Sequence, residues 1–183
     1  EREQAVREFS RFVNPHVVKQ LVERGGLTET GESRKITLLF SDIRGFTTLS
    51  ETRKPEEVVQ FLNRYFSKQV GVIFHHGGSL DKFIGDAIMA FWGAPMDDPD
   101  HARHAVSAAL EMVDTLEAFK QEVGGELGAI FDVGIGIHSG PAVVGLIGSG
   151  SRKNYTAIGD KVNLASRLQQ LAPPGGILVD EEV

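Results

Sequence analysis

Two aspartates have the type and setting to act together. Asp42 stands in Phe40-Ser41-Asp42-Ile43-Arg44-Gly45-Phe46, directly after an apolar run. Asp86 stands in Lys82-Phe83-Ile84-Gly85-Asp86-Ala87, between two short apolar runs. Two carboxylates brought to one place form a hard-oxygen donor set suited to divalent cations. Metals roughly 3.5–4 Å apart stabilise both the attacking and the leaving oxygen of a phosphoryl displacement. Taken singly, each aspartate also reads as an ordinary helix cap or turn residue. Asn163 and Arg167 are four apart in an expected helix, so they share a face. Arg167 suits charge developing on a transferring phosphoryl group, and Asn163 suits a sugar. The same spacing is equally that of a solvated face. Gly45, Phe46 and the pair Thr47-Thr48 open a short helix whose amides could hold phosphate oxygens, or simply form a loop and a capped turn.

The elements that must position these residues follow from periodicity. Lys35 to Ser41 is a buried strand, with Ile-Thr-Leu-Leu-Phe at its centre. Pro55-Glu56-Glu57 starts a helix that continues through Val58, Leu62, Tyr65, Phe66 and Ile73 and stops at Gly77-Gly78. Ser79 to Phe83 and Ala87 to Trp92 form a hairpin around Gly85-Asp86. Asp97 to Asp100 opens a second helix with an apolar stripe from Ala102 to Leu116. Phe131, Val133, Ile135 and Ile137 alternate with Asp132, Gly134, Gly136 and His138, a strand whose second face is nearly bare. A bare glycine face admits a ligand or another backbone. Ser139-Gly140-Pro141 predicts a turn into a further strand, Ala142 to Ile147, and Gly148 to Lys153 a polar loop. A third helix covers Asp160 to Leu171, and a last strand starts at Ile177.

Strand, helix, strand, strand, helix, strand is the order of a ferredoxin-like α+β sandwich, βαββαβ, here with extra C-terminal elements. In that sheet the first and third strands are antiparallel neighbours, which brings Asp42 and Asp86 to one edge. Glu1 to Gly26 reads as a helical lead-in and Thr28 to Arg34 as a linker. Residues 1–33 are therefore expected to connect a missing upstream region to a compact unit at 34–183.

Composition narrows the class. The 183 residues are 41% apolar and 24% charged, an ordinary globular balance. Lys and Arg total 19 against 25 acidic residues, a net charge of −6, which disfavours a nucleic-acid binder. There is no cysteine, hence no disulfide, thiolate zinc site or cysteine nucleophile. No apolar run approaches the ~18 residues of a membrane span. A cytoplasmic catalytic unit is expected, with any anchor elsewhere in a longer protein. No Walker-type loop, dinucleotide fingerprint or Gly-x-Ser-x-Gly elbow occurs. His75-His76 are adjacent, a poor spacing for metal ligands, and His101 and His104 read as surface residues.

Several motifs together resemble the catalytic domain of class III nucleotidyl cyclases, most closely the bacterial adenylyl cyclases of class IIIb. They are Phe40 to Thr47, Lys82 to Phe91, Gly134-Ile135-Gly136-Ile137-His138-Ser139-Gly140, and Tyr155 to Leu168. The resemblance implies conversion of ATP to 3′,5′-cyclic AMP and pyrophosphate with two divalent cations, Mg or Mn. It matches the metal aspartates to Asp42 and Asp86, with the Ile43 carbonyl as an added ligand. It matches the purine-selecting pair to Lys82 and Thr156, the ribose-positioning residue to Asn163 and the transition-state residue to Arg167. Lys82 can donate to adenine N1 and Thr156 can accept from the exocyclic amine. Guanine would leave polar groups unpaired. The resemblance further implies a head-to-tail homodimer with shared sites, and Thr156 implies a bicarbonate response. A further phosphate-binding lysine of the family belongs to a hairpin beyond Val183. Guanylyl cyclase and a catalytically silent dimerisation module are the alternatives. A ferredoxin-like RNA-binding module would need exposed sheet aromatics, where this chain has glycines.

Overall fold

The computed structural model describes residues 31–125, 128, 131–149 and 152–183, with Val18 and Val22. The expected lead-in and most of the linker lie outside the described residues. The elements in order are β1 (Glu32–Arg44), α1 (Phe46–Thr52), α2 (Pro55–His75), β2 (Ser79–Ile84), β3 (Ala87–Trp92), α3 (His101–Val123), β4 (Asp132–Ser149), β5 (Arg152–Ile158), α4 (Asp160–Leu171) and β6 (Ile177–Val179). The strand order is β2-β3-β1-β4-β5, and β6 pairs in parallel with β4. The path β2-β3-β1-β4 is the ferredoxin-like core, with β5, α4 and β6 added.

β1 is apolar on both faces because helices cover both. Leu39 and Ile43 join Ile88, Ala90, Trp92, Ile135 and Ile137 against α2 and α3. The aromatic side chains of Phe61, Phe119 and Phe131 fill the end of that layer, Phe61 meeting Phe131 edge-on at 4.8 Å. Ile36, Leu38 and Phe40 alternate with them and form the second layer with Met89, Phe91, Ala142, Val144 and Ala165 of α4. Pro55 sits in the first turn of α2 beside Glu56 and Glu57, as the helix dipole favours.

The bare face of β4 is filled by protein. A Cβ on Gly136 would lie 2.2 Å from the Gln169 nitrogen and 2.5 Å from the Ala165 oxygen, so the glycine lets α4 lie directly on the sheet. A Cβ on Gly134 would lie 2.3 Å from a guanidinium nitrogen of Arg44. Arg44 uses that space to donate to the carbonyls of Gln169 and of Ala172, the latter at 3.0 Å, closing the C-terminal end of α4.

Three local readings are corrected. No turn forms at Ser139-Gly140-Pro141. β4 runs through it because Thr37, Ile36 and Lys35 pair with these residues in turn. Pro141 sits between the stretch of β4 flanked by β6 and the stretch flanked by β5, so its missing N–H interrupts no ladder on that side. β1 begins at Glu32 rather than Lys35, since Glu32 to Arg34 continue the same ladder to Val144, and the loop before Lys153 is shortened because β4 and β5 pair as far as Ser149 and Arg152.

Candidate active site

The β1–β3 register pairs Ser41 with Ile88, so the end of β1 lies beside the start of β3. Asp42 follows the paired stretch on one strand, and Asp86 precedes it on the other, in the turn that Gly85 closes with φ of 62°. The two carboxyl groups meet within hydrogen-bonding reach. Burial, then the Asp42 hydrogen bond and charge, push the Asp86 carboxyl up to about 7, opposed by backbone amides including that of Ile43. Arg44 approaches Asp42 at 3.7 Å. Beneath the pair, the Tyr65 hydroxyl is buried and its acidity is suppressed by that burial.

This arrangement fits a divalent cation by the chemistry of its donors. Two carboxyl groups share a half-buried site in which burial and the Asp42 carboxylate oppose the charged form of Asp86, an opposition that a divalent cation would relieve. Gly45 precedes α1, Phe46 packs partly buried against the core, and Thr47 is exposed, all within a few residues of Asp42.

Lys82 and Thr156 form a second cluster. Lys82 is exposed on β2 and Thr156 is buried on β5. The structure joins them through Asp81, a residue that sequence reasoning missed. Asp81 Oδ1 lies 3.5 Å from Lys82 Nζ, and both of its oxygens accept from Thr156 Oγ1, at 2.7 and 2.8 Å. Asp81 and Thr156 are far apart in sequence and belong to strands at the two ends of the sheet order. Its one advance signal is a charged residue inside an otherwise strand-like run.

Asn163 and Arg167 are both exposed on α4. Ala165 and Gln169 hold the opposite face of that helix against β4. The pair therefore points away from its own sheet, and no contact joins it to Asp42 or Asp86 among the described residues.

The histidines read otherwise than their spacing suggests. His101 Nδ1 and Thr37 Oγ1 are hydrogen-bonded at 2.6 Å, and Thr37 continues to Ser139, tying α3 to the sheet. His104 pairs with Asp98. His76 and His75 approach Glu111 at 2.6 and 3.5 Å, because packing of α2 on α3 supplies the carboxylate that local sequence lacks. That cluster adjoins the start of β2, whereas Asp86 follows its end. Among the described residues no helix is long and apolar enough to cross a membrane.

Comparison with known proteins bears on the family and the fold. Residues 28–183 match the family described as the adenylate and guanylate cyclase catalytic domain. Adenylate cyclase 1 of Rhizobium meliloti is 41% identical over 166 residues, covering 90% of this chain. The chain spans only 25% of the length of that relative. Among solved structures, the guanylyl cyclase Cya2 superposes with a TM-score of 0.77 at 45% identity, covering 81% of this chain and 76% of that one. The adenylyl cyclase CyaB from P. aeruginosa superposes with a TM-score of 0.79 at 36% identity, covering 84% and 80%.

Proposed function

The chain belongs to the adenylate and guanylate cyclase catalytic domain family, and from that premise we propose that it is an adenylyl cyclase. The ribose 3′-oxygen of ATP attacks the α-phosphorus, the O3′–Pα bond forms, and the bond to the bridging oxygen of pyrophosphate breaks. The observation that carries this reading is the convergence of Asp42 and Asp86 at one sheet edge.

Asp42, Asp86 and the Ile43 backbone are the groups that would hold divalent cations, Mg or Mn, as a pair. Such cations supply positive charge that favours the 3′-alkoxide and the departing pyrophosphate. Lys82 and Thr156 read the base, Asn163 orients the ribose, and Arg167 meets charge on the α-phosphoryl oxygens. The backbone of Gly45, Phe46 and Thr47, next to Asp42, faces the triphosphate. The described side chains offer no evident base for the 3′-proton, which leaves to water or to a substrate phosphate. Most of the acceleration then comes from positioning and fixed charge.

The outward direction of Asn163 and Arg167 supports a two-fold homodimer, in which each reaches a nucleotide held by the partner's carboxylates. Val143 and Ile158, opposite one another on β4 and β5, are exposed apolar residues that such an assembly would cover. The bicarbonate response stays tied to Thr156.

Guanylyl cyclase is the second reading, favoured by the 45% identity to Cya2. Lys82 argues against it, because an ammonium beside guanine N1–H sets donor against donor. Turnover of ATP and of GTP, each with and without magnesium or manganese, decides. Cyclic AMP and pyrophosphate formed from ATP only with the cation are expected. Preference for GTP would overturn the adenylyl assignment, and turnover indifferent to divalent cations would overturn the role of the aspartates.

A further inference from the structure

Asp81 occupies an irregular place in β2. Leu80 pairs with Ala90 and Lys82 with Met89, so two steps on β2 face one on β3 and Asp81 is the extra residue. A bulge of this kind re-aims a side chain. Here it turns a carboxylate inward, leaving Asp81 only 4% exposed while Lys82 beside it stays in solvent.

Among the described residues, every polar neighbour of that carboxylate is a donor. The Ala157 amide donates at 3.0 Å, Thr156 Oγ1 approaches both oxygens, and the Lys82 ammonium stands at 3.5 Å. A carboxylate only accepts, so the single proton of the Thr156 hydroxyl is committed to it. Thr156 is left with lone pairs alone for any other partner. The ammonium, held on the other side, has protons alone to offer.

We propose that Asp81 is a positioning residue that sets the preference for adenine over guanine, by fixing Thr156 as an acceptor and steadying Lys82 as a donor. The inference rests on the reading of Lys82 and Thr156 as the base contacts. Adenine presents a donor at its exocyclic amine and an acceptor at N1, complementary to this pair. Guanine presents an acceptor and a donor at the same two positions and is mismatched twice. The Thr156 hydroxyl could turn its proton toward guanine O6 only if Asp81 released it.

The test measures kcat/KM for ATP and GTP in the purified protein and in Asp81→Asn, Thr156→Val, the double variant and Lys82→Glu. Asparagine keeps the shape but can donate to Thr156 Oγ1, freeing the hydroxyl proton. Asp81→Asn is expected to lower the ATP:GTP ratio by about tenfold, the scale of one buried polar mismatch. Its effect should be clearly smaller when Thr156 is already valine, because only the contact to Lys82 then remains, a coupling that general loosening of the fold would not produce. An unchanged ratio in Asp81→Asn, or an equal change with and without the threonine hydroxyl, overturns the inference. Lys82→Glu separates the two levels of the argument. If it leaves the ratio untouched, the base-contact reading fails and the inference falls with it. If it shifts the ratio while Asp81→Asn does not, only the inference fails. Should Asp81→Asn not fold, Thr156→Ser is expected to keep the ATP preference and Thr156→Val to lose it, and equal ratios in the two would count against a role for the hydroxyl.

Discussion

Asp86→Asn should make the metal-free protein more stable at pH 8 and the metal-loaded protein less stable, a crossing that few single substitutions produce. Asp86 faces a second carboxylate in a half-buried site and is pushed up to about 7 by burial and by Asp42. Its folded value lies above that of an unfolded aspartate, so the native state binds the extra proton between roughly pH 4 and 7. Metal-free stability must therefore fall as pH rises through that window and level off above it. Two unit charges about 4 Å apart at an effective dielectric of about 20 repel by about 4 kcal/mol. With the carboxyl group about half exposed, solvent screening reduces this to about 1 kcal/mol. The amide removes that repulsion, raising the melting temperature of the metal-free protein by about 2–4 °C at pH 8 and leaving it unchanged near pH 4. In saturating magnesium or manganese the order reverses. A cation at one hundred times its dissociation constant stabilises the native protein by about 2.7 kcal/mol, and the variant forfeits most of that gain. The assay is a set of thermal melts at several pH values, with the cation and with chelator. If the variant melts lower than the native protein in chelator at pH 8, or gains as much from the cation, the two carboxylates are not a strained cation site.

Three further outcomes are expected. Mixing Asp42→Asn chains with Arg167→Ala chains, each inactive alone, should restore one working site per heterodimer, about a quarter to a half of native turnover depending on exchange. No recovery after demonstrated subunit exchange would refute shared sites. Gly136→Ala drives a methyl group into the backbone of α4. It should cost about 1–3 kcal/mol in denaturant melts and lower kcat more than it raises KM, because Asn163 and Arg167 ride on that helix. Arg44→Met removes both hydrogen bonds that close the end of α4 and should cost about 1–3 kcal/mol. A midpoint unchanged within error would show that the clamp contributes nothing.

The parts of the fold legible in the sequence are those where local pattern and tertiary demand agree. Phe131 to Ile137 alternate because one face of β4 is core, and Pro55 with two glutamates marks the start of α2 where the dipole wants it. The Asp42–Asp86 pair was legible only through topology, since neither residue signals the other along the chain. Ser139-Gly140-Pro141 has turn chemistry, yet β1 holds it extended, a ladder formed with residues a whole domain away. Asp81 showed in the sequence only as a charge within a strand-like run, and its role needed the bulge that turns it inward and the partner on β5. The carboxylate beside His75 and His76 was invisible for the same reason, because Glu111 arrives from another helix.

β1 has one more consequence, for how the chain acquires its shape. It is the middle strand, and both neighbours come later. Leu39 lies beside Ile137, about a hundred residues downstream, a high contact order that slows folding. During synthesis one edge of β1 can pair with β3, but the other must wait until β4 has left the ribosome. The strand that later presents Asp42 thus keeps an apolar edge open in the nascent chain, and substitutions along β4 should depress yield in cells before they depress turnover in the test tube.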